Sequence, residues 1–167
     1  KSPQIVFDDA DFDAALPVVV AGIVQNSGQT CSAGSRVLVQ KSIFGAFTAA
    51  LAKRISNLVA GPHVKDLNCG PLISTKQLDR VQKFATNAEA NGLSCLARAK
   101  LDRDAPDTGF YVAPALYGPV PETDDLAQRE VFGPLLAAFP FDDEADAIRI
   151  ANDTDFGLVA GVWTNNG

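Results

Sequence analysis

The residues able to do covalent chemistry in this chain are few, and their surroundings separate them. Cys31 stands in Gly28-Gln29-Thr30-Cys31-Ser32-Ala33-Gly34-Ser35-Arg36, a glycine-flanked turn between an apolar helical run and the strand-like Val37-Leu38-Val39. The flanking elements hold such a thiol still while the turn opens it to a pocket. A thiolate is strongly nucleophilic and its thioester hydrolyses readily, so the placement suits attack on a carbonyl carbon. Seen alone, a cysteine between a helix and a strand is more often a small buried hydrophobe. That plainer reading is kept for Cys69, in a loop, and Cys95, in a strand. A second constellation, Glu130-Val131-Phe132-Gly133-Pro134, sets a carboxylate and an aromatic ring just before a Gly-Pro turn that leads into a strand. His63, in a Gly-Pro-His loop, reads as solvated.

Alternating helical and extended patterns must position these residues. Gln4–Phe7 reads as a buried strand, and the Asp8–Asp11 run supplies N-cap candidates for a helix over 12–25. Pro17 lies inside that helix and will either kink it or confine regular hydrogen bonding to the part after it. Asn26-Ser27-Gly28 ends the helix. A strand over 36–40 follows, then a helix over 43–57 with Ile43, Phe47, Leu51 and Ile55 on one face. A breaker-rich loop runs from Gly61-Pro62 to Gly70-Pro71. A helix over 74–91 carries the stripe Leu78, Val81, Ala85 and Ala88, and its opening Ser74-Thr75-Lys76-Gln77 has the form of a capping box. Strands over 94–97 and 111–116 come next, then a polar stretch over 121–128. After the Glu130–Pro134 turn the pattern gives a strand over 135–139, a helix from the Asp142–Glu144 run to Asn152, and a last strand over 161–164. Strands alternating with helices imply crossover connections. The expected fold class is therefore α/β, a three-layer αβα arrangement around a mainly parallel, doubly wound sheet.

Composition narrows the function. At 167 residues and 47% hydrophobic content the chain fits one globular domain. Its net charge of −6, with scattered basic residues, lacks the concentrated basic face that nucleic acids require. An anionic cofactor would bind through local helix ends and backbone amides. The longest apolar run, from Ala14 to Val24, is broken by Pro17 and Gly22 and is too short to span a bilayer. No secretory signal pattern is present. Three cysteines without CxxC spacing and a single histidine leave a zinc site without ordinary ligands, so no metal is expected. Free thiols point to a reducing compartment, the cytoplasm.

In order and without large gaps, these residues resemble the catalytic domain of the aldehyde dehydrogenase superfamily. The landmarks are Lys1-Ser2-Pro3, Asp8 to Asp11, Gly28 to Arg36 and Gly70-Pro71-Leu72-Ile73. Gly109 to Pro114, Glu130 to Pro134, and Ala147 to Asn152 with Phe156-Gly157-Leu158 complete the series. The resemblance implies oxidation of a small-molecule aldehyde to a carboxylic acid with NAD or NADP, through a thiohemiacetal and a thioester on Cys31. The Cys31 backbone amide would donate to the oxyanion. Glu130 would accept hydrogen bonds from the nicotinamide-side ribose, Phe132 would pack beside the nicotinamide, and Gln77 would make a second polar contact to the cofactor.

The same resemblance places the general-base glutamate of Glu-Leu-Gly-Gly, the oxyanion asparagine and the dinucleotide-binding domain before Lys1. A Pro-Phe-Gly-Gly region and an oligomerisation strand would follow Gly167. Residues 1–167 are thus expected to be part of the catalytic domain of a larger enzyme or a truncated relative, inactive alone. At full length a homo-oligomer, dimer or tetramer, is expected. Two other readings stand beside this one: a non-catalytic packing or assembly module, and an acylating semialdehyde dehydrogenase that passes the thioester to coenzyme A.

Overall fold

In the computed structural model, which describes residues 1–166, alternation along each strand sorts the apolar side chains onto two faces. The strands β1 (Pro3–Val6), β2 (Arg36–Gln40), β6 (Ala115–Tyr117) and β7 (Leu135–Phe141) are buried almost throughout. On one face, Val37, Val39, Leu116, Leu136 and Ala138 meet α1 (Phe12–Val24) and α2 (Phe44–Ser56). On the other, Leu38, Ala137, Phe139 and Phe141 meet α3 (Thr75–Ala90) and α5 (Glu144–Asn152). Burial on both faces is what forces near-continuous apolar strands.

The six-stranded sheet has the order β4-β6-β7-β2-β1-β8, with β4 (Cys95–Arg98) and β8 (Gly161–Trp163) at its edges. All neighbours pair in parallel except β4, which runs antiparallel to β6. The three-layer, mainly parallel architecture agrees with the sequence reading. Several boundaries do not. The extended segment expected over 111–116 forms sheet only over Ala115–Tyr117, because the chain leaves a turn closed by the Gly109 N–H on the Pro106 carbonyl and residues 110–114 join no strand. A two-stranded parallel sheet of β3 (Val59–Ala60) and β5 (Lys100–Leu101) was not legible, nor was the one-turn helix α4 (Asp125–Gln128) inside the polar stretch.

Helix entries follow side-chain chemistry. Asp11 accepts from the N–H groups of Asp13 and Ala14, and Asp143 accepts from that of Asp146. Of the two outcomes open at Pro17, the confinement of regular helix to the part after it is not seen: α1 runs continuously from Phe12 to Val24 with Pro17 exposed. The Asp13 carbonyl it deprives of a donor is solvent-facing, where water can serve it. No helix among the described residues is long and apolar enough to cross a membrane.

Candidate functional site

Three successive residues in left-handed conformation, Asn26 (φ 49°), Ser27 (φ 56°) and Gly28 (φ 71°), turn the chain sharply away from the end of α1. Side chains hold this unusual path. The Asn26 amide donates to the Gln29 carbonyl at 3.0 Å, and the Gln29 amide returns to the Asn26 carbonyl at 3.1 Å. The Ser27 hydroxyl donates to the Gly70 carbonyl at 2.8 Å. Gln29 Oε1 accepts from the Ile73 N–H at 2.9 Å, tying the turn to the segment that opens α3. Cys31 then sits in a tight turn closed by the Ala33 N–H on the Thr30 carbonyl at 3.0 Å.

The Cys31 side chain is exposed. Its backbone N–H has no acceptor among the described residues. Cys31, Glu130, Phe132 and Gly133 line one narrow cleft with Lys1 and Ser2. The two sequence constellations, about a hundred residues apart, are thus brought together. Gly28 makes this possible: a Cβ there would meet Pro134 N at 2.8 Å and the Gly133 carbonyl closer still.

Glu130 is half-buried, and its carboxylate has no hydrogen-bonding partner among the described residues. Phe132 takes a left-handed φ of 59° and leaves 37% of its surface exposed. Phe132 lines both the cleft at Cys31 and a broader hollow bounded by Asn26, Ile73, Phe110 and Tyr111. Gln77 lies beside this turn, with its amide donating to the carbonyls of Phe132 at 2.6 Å and Val131 at 3.1 Å. The capping box expected at α3 is therefore half present: Ser74 Oγ accepts from the Gln77 N–H, while the Gln77 side chain reaches away to the Phe132 turn.

The other thiols separate by environment. Cys69 is buried, and burial pushes its thiol pKa up, partly offset by a hydrogen bond with Ser27. Cys95 is exposed on edge strand β4, so its reading as a buried hydrophobe is corrected. An edge strand has no neighbour to cover it. His63 is exposed, as its loop suggested.

Sequence reasoning missed the roles of three basic side chains. Arg36 is 2% exposed and donates to the carbonyls of Lys1, Ile150 and Ala151 at 2.6–3.0 Å. Burial draws its pKa down to about 10, against the pull of Asp153. Arg80, one turn along α3 from Gln77, donates to the Val131 carbonyl at 3.2 Å and to that of Glu130. The i, i+3 spacing of Gln77 and Arg80 was the available signal. Lys1, which also lines the Cys31 cleft, buries its Nζ and donates it to the Leu126 carbonyl. Its pKa falls to about 7 through burial and the nearby Arg36 charge, with Glu130 and Asp124 opposing.

The whole site lies at the amino ends of the parallel strands, since Cys31 precedes β2 and Glu130–Pro134 precedes β7. Open α/β sheets commonly bind ligands at the carboxyl ends, where helix N-termini converge. Here turn amides and side chains, rather than converging helix dipoles, must supply the local field.

Residues 1–167 match the family model described as "Aldehyde dehydrogenase family". Among solved structures, a protein assigned as an aldehyde dehydrogenase from Burkholderia cenocepacia is 54% identical over all of the chain, with a TM-score of 0.99. Betaine aldehyde dehydrogenase from Staphylococcus aureus, in complex with NAD+, is 35% identical over 99% of the chain, with a TM-score of 0.93. An aldehyde dehydrogenase from Bacillus cereus is 36% identical over 99% of the chain, with a TM-score of 0.90. The chain spans only 35%, 33% and 33% of the lengths of these three proteins, respectively.

Proposed function

This chain belongs to the aldehyde dehydrogenase family, and from that premise we propose that it carries the nucleophile and the nicotinamide-side contacts of an NAD(P)-dependent aldehyde dehydrogenase. The observation that carries the reading is the shared cleft of Cys31, Glu130 and Phe132. Cys31 Sγ attacks the aldehyde carbon as thiolate, forming a thiohemiacetal whose oxyanion the free Cys31 N–H is placed to receive. Removing one such donor typically costs about 10²–10³ in rate. Bound NAD(P)+ supplies the hydride acceptor that turns the thiohemiacetal into a thioester.

The residues present suit that cofactor chemically. The unpartnered Glu130 carboxylate is an acceptor for paired ribose hydroxyls. The exposed Phe132 ring offers an apolar face to a planar heterocycle. Gln77, expected from the resemblance to touch the cofactor, has its amide nitrogen committed to the Phe132 turn and serves the cofactor through that turn. Hydrolysis of the thioester needs a base that this reading places outside residues 1–167, so the isolated chain is expected to be inactive. The full-length protein is expected to be a cytoplasmic homo-oligomer.

The test is an assay of the full-length protein against an aldehyde panel with NAD+ and NADP+, alongside Cys31→Ala. Loss of all oxidation in the variant, with the fold intact, supports the assignment. Full activity in the variant removes it, and acyl-coenzyme A formation would redirect it to the acylating form.

A further inference from the structure

The backbone of the Glu130–Phe132 turn is gripped from one side. Three consecutive carbonyls, those of Glu130, Val131 and Phe132, accept hydrogen bonds from just two side chains on adjacent turns of α3. Gln77 spans Val131 and Phe132. Arg80 spans Glu130 and Val131 through Nη2 and Nε. Arg80 is itself braced, its guanidinium lying 5.2 Å from the Phe84 ring centroid. Behind the turn, a Cβ on Gly133 would meet Val81 Cγ1 at 3.1 Å, so α3 also fixes how closely the turn approaches.

A left-handed phenylalanine needs such a grip, because that backbone conformation costs about 1–2 kcal/mol for any residue with a Cβ. Released from its carbonyl partners, Phe132 would relax toward ordinary φ and swing its ring out of the cleft. The same N-terminal end of α3 is tied to the cysteine turn, since the N–H of Ile73, just ahead of the helix, donates to Gln29 Oε1. One helix therefore bridges the nucleophile turn and the Glu130 turn.

Resting on the dehydrogenase reading above, we propose that Gln77 and Arg80 are positioning residues that hold Glu130 and Phe132 in register with Cys31 by clamping the carbonyls of that turn. Their action on the nicotinamide half of the cofactor passes through Phe132. It does not depend on contact with the cofactor itself.

The experiment uses the full-length protein and two readouts. The first is amide hydrogen exchange without cofactor or substrate, in the wild type, Gln77→Met and Arg80→Met. Methionine keeps the length of the Gln77 side chain and the apolar stem of Arg80 but cannot donate. Exchange at residues 130–133 is expected to rise at least tenfold, with β7 and the rest of α3 unchanged. The second is a double-mutant cycle on NAD+ binding, measured by calorimetry. Gln77→Met alone is expected to weaken binding about tenfold, within the range that small misplacement costs. In a Phe132→Ala background the same change should have less than a twofold effect. A full tenfold effect in that background would mean direct contact and overturn the proposal. So would unchanged exchange at 130–133, or exchange raised throughout the molecule. Activity retained by Cys31→Ala would sink the dehydrogenase reading instead, and the cofactor-free exchange result would still decide whether the clamp exists.

Discussion

Gly28 and Gly133 lie back to back, so close that no side-chain atom fits on Gly28 without displacing the Gly133 carbonyl or Pro134 N. This contact sets the spacing between the cysteine turn and the Glu130 turn. Gly28 also holds φ at 71°, where an L-residue is strained. Gly28→Ala is expected to cost about 2–4 kcal/mol, combining left-handed strain with overpacking. Gly133→Ala should be costly for a different reason, its clash with Val81. Chemical denaturation in a Val81→Ala background checks this: the added space should recover part of the loss for Gly133→Ala and none for Gly28→Ala.

The three thiols should separate under alkylation. Cys31 and Cys95 are exposed and should label in the folded protein, whereas buried Cys69 should not. Because burial raises the Cys69 pKa, its thiolate fraction at any given pH is below that of an ordinary thiol. Mass spectrometry after brief iodoacetamide treatment should find Cys69 modified only at high pH or after unfolding. Early modification of Cys69, or protection of Cys31, would contradict the site geometry.

Much of this was legible in the chain because its main elements are long and strongly periodic. Leu38 between Val37 and Val39 already declares a strand covered on both faces. Cys31 and the Glu130–Pro134 turn stood out because glycines mark where backbones must approach. What stayed hidden depends on partners distant in sequence. The β3–β5 pair has two residues per strand, too few for any period to register. Nothing local says that Phe132 adopts φ 59°. The burial of Arg36 could not be read either, because a charged residue at a strand start is ordinarily solvated until three distant carbonyls converge on it.

Arg36 is expected to be a principal stability determinant. Ile150 and Ala151 lie in the last turn of α5, which is short of donors: the Ile150 carbonyl has only the 3.3 Å bond from the capping Asp153 N–H, and the Ala151 carbonyl has no backbone donor among the described residues. Arg36 supplies them and, through Nε and Nη2, also satisfies the Lys1 carbonyl. Arg36→Met would strand buried acceptors and cost about 2–5 kcal/mol. Arg36→Lys should recover less than half of that, since one ammonium cannot reproduce the planar fork. Urea unfolding of the two variants measures the difference.

Tyr117 gives a pH signature. Its hydroxyl donates to Glu89 at 2.9 Å and accepts from Arg98 at 3.1 Å. Burial, followed by the Glu89 hydrogen bond, pushes its pKa up to about 12 from the usual 10. Between those values the unfolded chain has lost the phenolic proton while the folded chain keeps it. The Tyr117 contribution is therefore complete below pH 10 and lost as pH rises through 12. Unfolding midpoints should fall more steeply across that window in the wild type than in Tyr117→Phe. Equal slopes would mean that the phenol titrates alike in both states.

Backbone and ring contribute separately at Phe132, and two substitutions resolve them. Phe132→Ala and Phe132→Gly both remove the ring from the cleft shared with Cys31, so both should weaken binding of the nicotinamide half of a cofactor to a similar extent. Their stabilities should differ in the reverse of the usual order. Glycine ordinarily destabilises relative to alanine because it has more backbone freedom to lose. At φ 59° the strain borne by a Cβ outweighs that cost. Phe132→Gly should therefore be more stable than Phe132→Ala by about 0.5–1 kcal/mol. Thermal unfolding of the pair decides it: an alanine variant equal to or more stable than the glycine variant would show that the turn relaxes once the ring is gone, and that the ring itself, rather than the α3 clamp, imposes the left-handed backbone.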